Sequence, residues 1–168
     1  IAPLYPEEKD YKAIIDLAVD NGATGTMLIG NLGDKWAREG KFELINNVVE
    51  YAKSKGVISG VAGHELEAFK GLERQQIDAD FYMKTLHDTS YWSWRDNEPK
   101  EKMIIDNYAV DNYWSRKPKE TVDFMDGLSK PWIAFKVLAA GAFHPKQGFK
   151  FAFENGADFA CVGMFDFQ

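Results

Sequence analysis

The sequence predicts an α/β protein built as a (β/α)8 barrel, of which this chain carries an incomplete set of units. Three observations predict it. The same unit recurs five times: an amphipathic helix pattern, a turn with Gly or Asp, then a short apolar run. The runs are apolar on both faces, as strands covered by helices must be. An open doubly wound sheet would bring a Gly-rich phosphate fingerprint after its first strand. The stretch GNLGDKWAREG at 30–40 has glycines without that spacing. A barrel needs eight strands, and five βα units are visible. The chain begins at Ile1 rather than Met and stops at Gln168 directly after an apolar run. Both ends read as cut. The expectation is one partial-barrel domain over residues 1–168, with the N-terminus and any targeting information missing and the compartment undetermined.

The units follow in order. Residues 7–20 place Tyr11, Ile14, Ile15 and Ala18 on one helical face. Asn21-Gly22 ends that helix, since Gly tolerates a left-handed cap, and TGTMLIG, 24–30, is the first strand. Residues 42–55 repeat the pattern with Phe42, Ile45, Val48, Val49 and Ala52, before the strand VISGVAG, 57–63. A third helix, 65–76, leads to DFYMKTLH, 80–87. A fourth, 119–128, turns Val122, Met125 and Leu128 inward and leads through Pro131 to WIAFKVLAAG, 132–141. Pro145 suits the first turn of a fifth helix, which ends at Asn155-Gly156 before DFACVGMF, 158–165. The segments Asp20-Asn21-Gly22-Ala23-Thr24 and Glu154-Asn155-Gly156-Ala157-Asp158 echo each other at equivalent helix-to-strand turns, a structural repeat.

Composition excludes several classes. Hydrophobic residues make up 45% and charged residues 27% of the 168, the balance of a globular domain. No apolar run approaches the roughly 18–20 residues that cross a bilayer. Twenty Lys and Arg against 26 Asp and Glu leave a net charge of −6, which argues against nucleic acid as a partner. The one cysteine, Cys161, excludes an internal disulfide and sits in an apolar stretch that suggests burial.

One connection is out of proportion. About 30 residues, 88–118, separate the third strand from the fourth helix, where ordinary βα loops run to roughly 2–6. The insertion carries Tyr91, Trp92, Trp94, Tyr108, Tyr113 and Trp114. It is either a lid or binding loop or a small subdomain packing its own aromatics. Aromatic planes beside a polar cleft suit a small, sugar-like substrate. Trp92, Trp94 and Trp114, with Asn31, Gly141 and Gly163 at strand ends, are the candidate substrate-binding residues.

Chemistry in a barrel gathers at the carboxyl ends of the strands, and all three histidines fall there: His64, His87 and His144. His64-Glu65 and His87-Asp88 pair imidazole with carboxylate. The four residues are candidates for general acid–base work, or alternatively for a divalent metal ion, although no HxH or HExxH spacing supports metal. His144 precedes Pro145 and can simply lead into the helix. Two lysines, Lys84 in DFYMKTLH and Lys136 in WIAFKVLAAG, lie inside apolar strands, where a charged amine is costly. Alternation sets Tyr82, Lys84 and Leu86 on one face, and Ala134, Lys136 and Leu138 on one face of the next strand. If both faces point inward, the amines become neighbours and repulsion favours a neutral one, the form that attacks a carbonyl. The competing reading is a lysine held by a core carboxylate such as Asp88.

From Gly22 to Gly163 the chain resembles class I aldolases of the deoxyribose-phosphate aldolase type. IGNLGDKWAREGKFELINNVVEYAKSKGV looks like that family's strand-four loop and following helix, DFYMKT like its Schiff-base strand, FKVLAAG like the next strand and NGADFACVG like the last. The resemblance implies Lys84 as nucleophile and Lys136 as the second lysine that tunes it, with no cofactor. Thr26 stands where that family has an acidic relay residue, so His64 or His87 becomes the candidate for proton transfer. The chain is also similar to bacterial TIM-barrel proteins without assigned activity that end in GADFACVGMFDFQ.

Three readings follow: a lyase acting on a small carbonyl or sugar-like compound through a Schiff base, a metal-dependent sugar isomerase or hydrolase, and a non-catalytic carbohydrate- or partner-binding barrel. A partial barrel with open sheet edges also invites association into a homo-oligomer.

Overall fold

The computed structural model describes residues 1–90 and 115–163. Six strands follow one another in the sheet in chain order, and the first three strands pair in parallel, as do the last two. The expected alternation of helix and parallel strand is present. Among the described residues the sheet has six strands rather than the five expected, in the order β1 to β6. Two compact units divide it, Ile1–Met83 and Lys84–Gln168, with the boundary inside β4.

The first unit runs β1 (Ala2–Leu4), α1 (Tyr11–Asp20), β2 (Gly25–Leu28), α2 (Gly30–Arg38), α3 (Phe42–Ser54), β3 (Ile58–Gly63), α4 (Leu66–Arg74), then the start of β4 (Phe81–Thr85). Ala2, Pro3 and Leu4 pair with Thr26, Met27 and Leu28, and Gly25–Leu28 pair with Ile58–Val61. The helical spacing of α3 does what its pattern predicts, since Ile45, Val48, Val49 and Ala52 are wholly buried. Each large aliphatic side chain removed from water in this way contributes roughly 1.5–3 kcal/mol.

Two elements depart from expectation. β1 is only three residues long and contains Pro3, so it shows no alternation to recognise. The stretch expected as loop, 30–40, is largely the helix α2. Gly30 and Gly33 serve contact rather than turning. A Cβ on Gly33 would lie 2.1 Å from the Ala62 carbonyl oxygen, so α2 presses directly on the backbone of β3. Leu32 and Trp36, four apart, are both buried.

The second unit continues from Lys84 with α5 (Pro118–Asp126), β5 (Trp132–Phe135), a short 3-10 turn (Ala139–Gly141), α6 (Pro145–Glu154) and β6 (Phe159–Cys161). Ile133, Ala134 and Phe135 pair with Phe159, Ala160 and Cys161. β5 is six residues shorter than predicted. Lys136 has φ of 56°, which takes the chain out of the strand, and Ala139 and Ala140 are also left-handed. Alternation therefore does not carry Lys136 onto the face of Ala134. Cys161 is exposed rather than buried, and so is Phe159. The described residues leave that face of β6 open.

The internal echo is a repeated helix end. Gly22 and Gly156 have φ of 84° and 85°. Asn21 and Asn155 each donate from Nδ2 to the carbonyl four residues back, both at 2.8 Å. Ala23 and Ala157 each return their N–H to the fifth residue back, on Ala18 and Ala152. Both ends are Schellman motifs, which satisfy otherwise orphaned carbonyls.

The packing of α2 gives the first prediction. Gly33→Ala forces a methyl against a backbone oxygen that cannot rotate away, and should cost about 1–3 kcal/mol or more. Chemical denaturation measures it, and a stability within roughly 0.5 kcal/mol of the parent, the range of ordinary surface changes, would refute this seating of the helix.

Candidate active site

Two clusters collect the predicted residues, one in each unit. In the first unit, Gly30, Gly33 and Asp34 share a face of α2 at spacings of three and four. That face meets the carboxyl end of β3. Asp34 is 1% exposed, and its carboxylate accepts hydrogen bonds from the backbone N–H of His64 and of Glu65, each at 3.0 Å. His64 Nδ1 lies 2.7 Å from Asp34 Oδ2. A carboxylate can only accept here, so the network assigns the proton to Nδ1 and leaves Nε2 as the basic nitrogen. The surroundings are fitted to this ring. A Cβ on Gly30 would stand 2.8 Å from His64 Cε1, and one on Gly63 would stand 2.9 Å from Asp34 Oδ1. Glu65 turns away and accepts from Arg38 at 2.9 Å. Asn31 is half-buried one residue into α2, and Thr26 is buried with its hydroxyl 3.4 Å from that of Ser59.

β4 crosses into the second unit. Tyr82 packs edge-on against Phe69 and donates to Glu73 at 2.6 Å, both residues of α4. Burial first, then Glu73, keeps its phenol protonated. Alternation then starts the Lys84 stem from this helix-covered face, not from the face where Phe81 lies against Gly60. The amine itself ends at the strand's carboxyl end. Lys84 is 1% exposed, and Nζ donates to the Thr85 carbonyl at 3.0 Å and to Thr85 Oγ1 at 2.8 Å.

His87 follows and is wholly buried. Its Nδ1 lies 2.8 Å from the Asp88 carbonyl, and its Nε2 accepts from the Ser115 N–H at 3.1 Å. Both bonds require the neutral Nδ1–H tautomer. Desolvation pushes the imidazole down from its ordinary 6.5 to about 4, and the charges of Lys84 and Lys136 push the same way. Both lysines thus act on one ring. Lys136 itself is half-buried, at the left-handed turn after β5. The Asp88 carboxylate accepts from the Ser90 N–H at 2.6 Å. Ser115 Oγ is buried and has no hydrogen-bond partner.

The other predicted residues disperse. His144 is exposed and caps α6, its Nδ1 accepting from the Lys146 N–H at 3.2 Å. Gly141 closes the short turn after β5 with φ of 89°, and Gly163 is exposed beyond β6. Trp92, Trp94 and Trp114 lie outside the described residues, as does most of the 88–118 insertion. Among the described residues, no group of three or more His, Cys, Asp or Glu side chains is placed to hold a metal ion. His64, Glu65, Asp88 and His87 each make the other bonds given above. No helix among the described residues is long and apolar enough to cross a membrane. Sequence reasoning missed Asp34. Its signal was a carboxylate sharing a helical face with two glycines and standing two residues from each of Leu32 and Trp36.

No family model matches the chain, and no curated protein matches it. Nine solved chains do. One is a mutant of the Thermobaculum terrenum O-GlcNAc hydrolase, 13% identical, with a TM-score of 0.43, covering 80% of this chain and 33% of that one. This chain spans about a third of that solved chain.

His87 makes stability depend on pH. Its folded form binds a proton more weakly than the unfolded chain does, so the unfolded chain is protonated first as pH falls. The group's contribution is complete above pH 6.5 and is lost progressively down to about 4. That window should cost about 3 kcal/mol more in the parent than in His87→Asn, measured by denaturation at successive pH values. Equal slopes for the two proteins would show that the ring is not sealed.

Proposed function

We propose that this chain carries part of a barrel-type lyase that acts on a small carbonyl or sugar-like compound, with Lys84 as the amine that forms a Schiff base. The observation that carries the reading is the burial of Lys84 with its amine at the carboxyl end of β4. A desolvated amine is favoured in its uncharged form, the form that attacks a carbonyl carbon. Three neighbours support it. Lys136 adds a positive charge felt at His87. His87, neutral and held at both nitrogens, fixes the backbone just after the lysine. The Ser115 hydroxyl is a buried polar group that a ligand oxygen can take.

In such a reaction the lysine nitrogen bonds to the carbonyl carbon, and water leaves to give an imine. The neighbouring carbon–carbon bond then breaks as its hydroxyl loses a proton. One carbonyl fragment departs, and water and a proton release the other from the enamine.

A second reading, binding without reaction, is favoured by an open cleft of about 260 Å³ in the same unit. Phe143 and Phe151 supply apolar surface there, with Asp88, Gln147, Lys150 and Glu154 at the polar positions. That mix suits a hydroxylated ligand.

Borohydride reduction in the presence of a panel of small aldehydes and ketones separates the two. Peptide mapping should find the reduced adduct on Lys84, and Lys84→Met should abolish it. An adduct that persists in Lys84→Met refutes the lyase reading. Retained ligand binding without any adduct favours the cleft as a binding site.

A further inference from the structure

We infer that the cleft of the second unit takes a small protonated amine, with the Asp88 carboxylate as its anchor and Phe143 and Phe151 as the seat of its apolar body. The inference rests on the second reading above, binding in that cleft, and uses neither Lys84 nor its chemistry.

The cleft has a fixed place in the fold. Asp88 and Ser90 come just after β4, and Val137 comes just after β5. That is the end of the strands at which ligands meet βα folds. The remaining wall is one face of α6, where Gln147, Lys150, Phe151 and Glu154 recur at helical spacing. The helix is seated without a gap: a Cβ on Gly148 would stand 2.7 Å from the Val137 carbonyl oxygen. Close seating sets that wall before any ligand arrives, which lowers the cost of binding. The volume, about 260 Å³, lies below the roughly 300–1,000 Å³ of drug-sized sites, so the occupant is small.

The charges select the occupant. Two carboxylates and one ammonium line the cleft, and neither Lys84 nor Lys136 is part of the lining. Lys150 and Glu154, both exposed, stand 3.7 Å apart one turn along α6, so their charges largely cancel. Asp88 is the charge left over. It is half-buried, and its Oδ1 accepts from the Ser90 N–H. Capping that turn accounts for Oδ1 alone and leaves Oδ2 for a ligand. An ammonium placed there gains a charge-assisted hydrogen bond, and phenyl rings beside it suit an alkylammonium better than a carboxylate.

Three probes on one phenyl framework read the charge: 2-phenylethylamine, 2-phenylethanol and phenylacetate. Each is titrated into the full chain near neutral pH and followed by NMR at the Ser90 amide and the Gln147 side-chain amide. The amine should bind about fivefold tighter than the alcohol, and added salt should narrow the difference. Asp88→Asn keeps an oxygen for the Ser90 N–H, removes the charge, and should erase the amine's advantage. Lys150→Gln leaves Glu154 unopposed and should tighten the amine by about twofold. This exposed substitution and the parent series decide the matter should Asp88→Asn fail to fold. An alcohol or a carboxylate that binds as tightly as the amine overturns the inference and leaves the cleft as a binding site. If no probe shifts either reporter, the inference and the cleft reading both fall.

Discussion

The first unit depends on how closely one helix approaches one strand. α2 lies against β3 with a glycine where even a methyl would collide with the Ala62 carbonyl. That approach carries Asp34 into the space above the end of β3. An isolated buried carboxylate is strongly disfavoured, and this one is satisfied by two amides and an imidazole. The charge-assisted bonds offset the desolvation, and in doing so they fix the loop, the ring and the start of α4 together. Close packing and the polar cluster are therefore one feature. Loosening the helix would strand the carboxylate, and removing the carboxylate would leave the loop amides without acceptors.

The second unit answers a similar problem differently. His87 and Lys84 are both inside. The histidine is kept uncharged chiefly by burial, and its ring nitrogens meet the Asp88 carbonyl and the Ser115 N–H. The lysine is placed on neutral oxygens of Thr85. In the first unit the imidazole is held by an anion, and in the second it is kept neutral chiefly by burial. Two residues of the same type, each just past a strand, are thereby given different surroundings.

Periodicity made the larger elements legible. The α3 stripe, the apolar strands and the twin Asn-Gly helix ends are local patterns, and local chemistry decides them. The site was only partly legible. His64, His87 and Lys84 were visible because polar groups at the ends of apolar runs stand out. Asp34 was hidden because GNLGD looks like a turn when its glycines are taken as conformational, and they are there for contact with β3. Which residue approaches which across the layers is not written in a helical period. Lys136 was misplaced for a related reason: an apolar run continued past the point where the backbone turns left-handed, and composition does not record φ. β1 was too short for any pattern to form.

The bond from the Ser115 amide to His87 joins two points of the chain separated by the aromatic insertion. Both anchors belong to the second unit. Closing a longer loop across fixed ends costs only about 0.6 kcal/mol for each doubling. The imidazole thus works as a rivet at the foot of the insertion, tying the chain at Ser115 back to the end of the strand that carries Lys84.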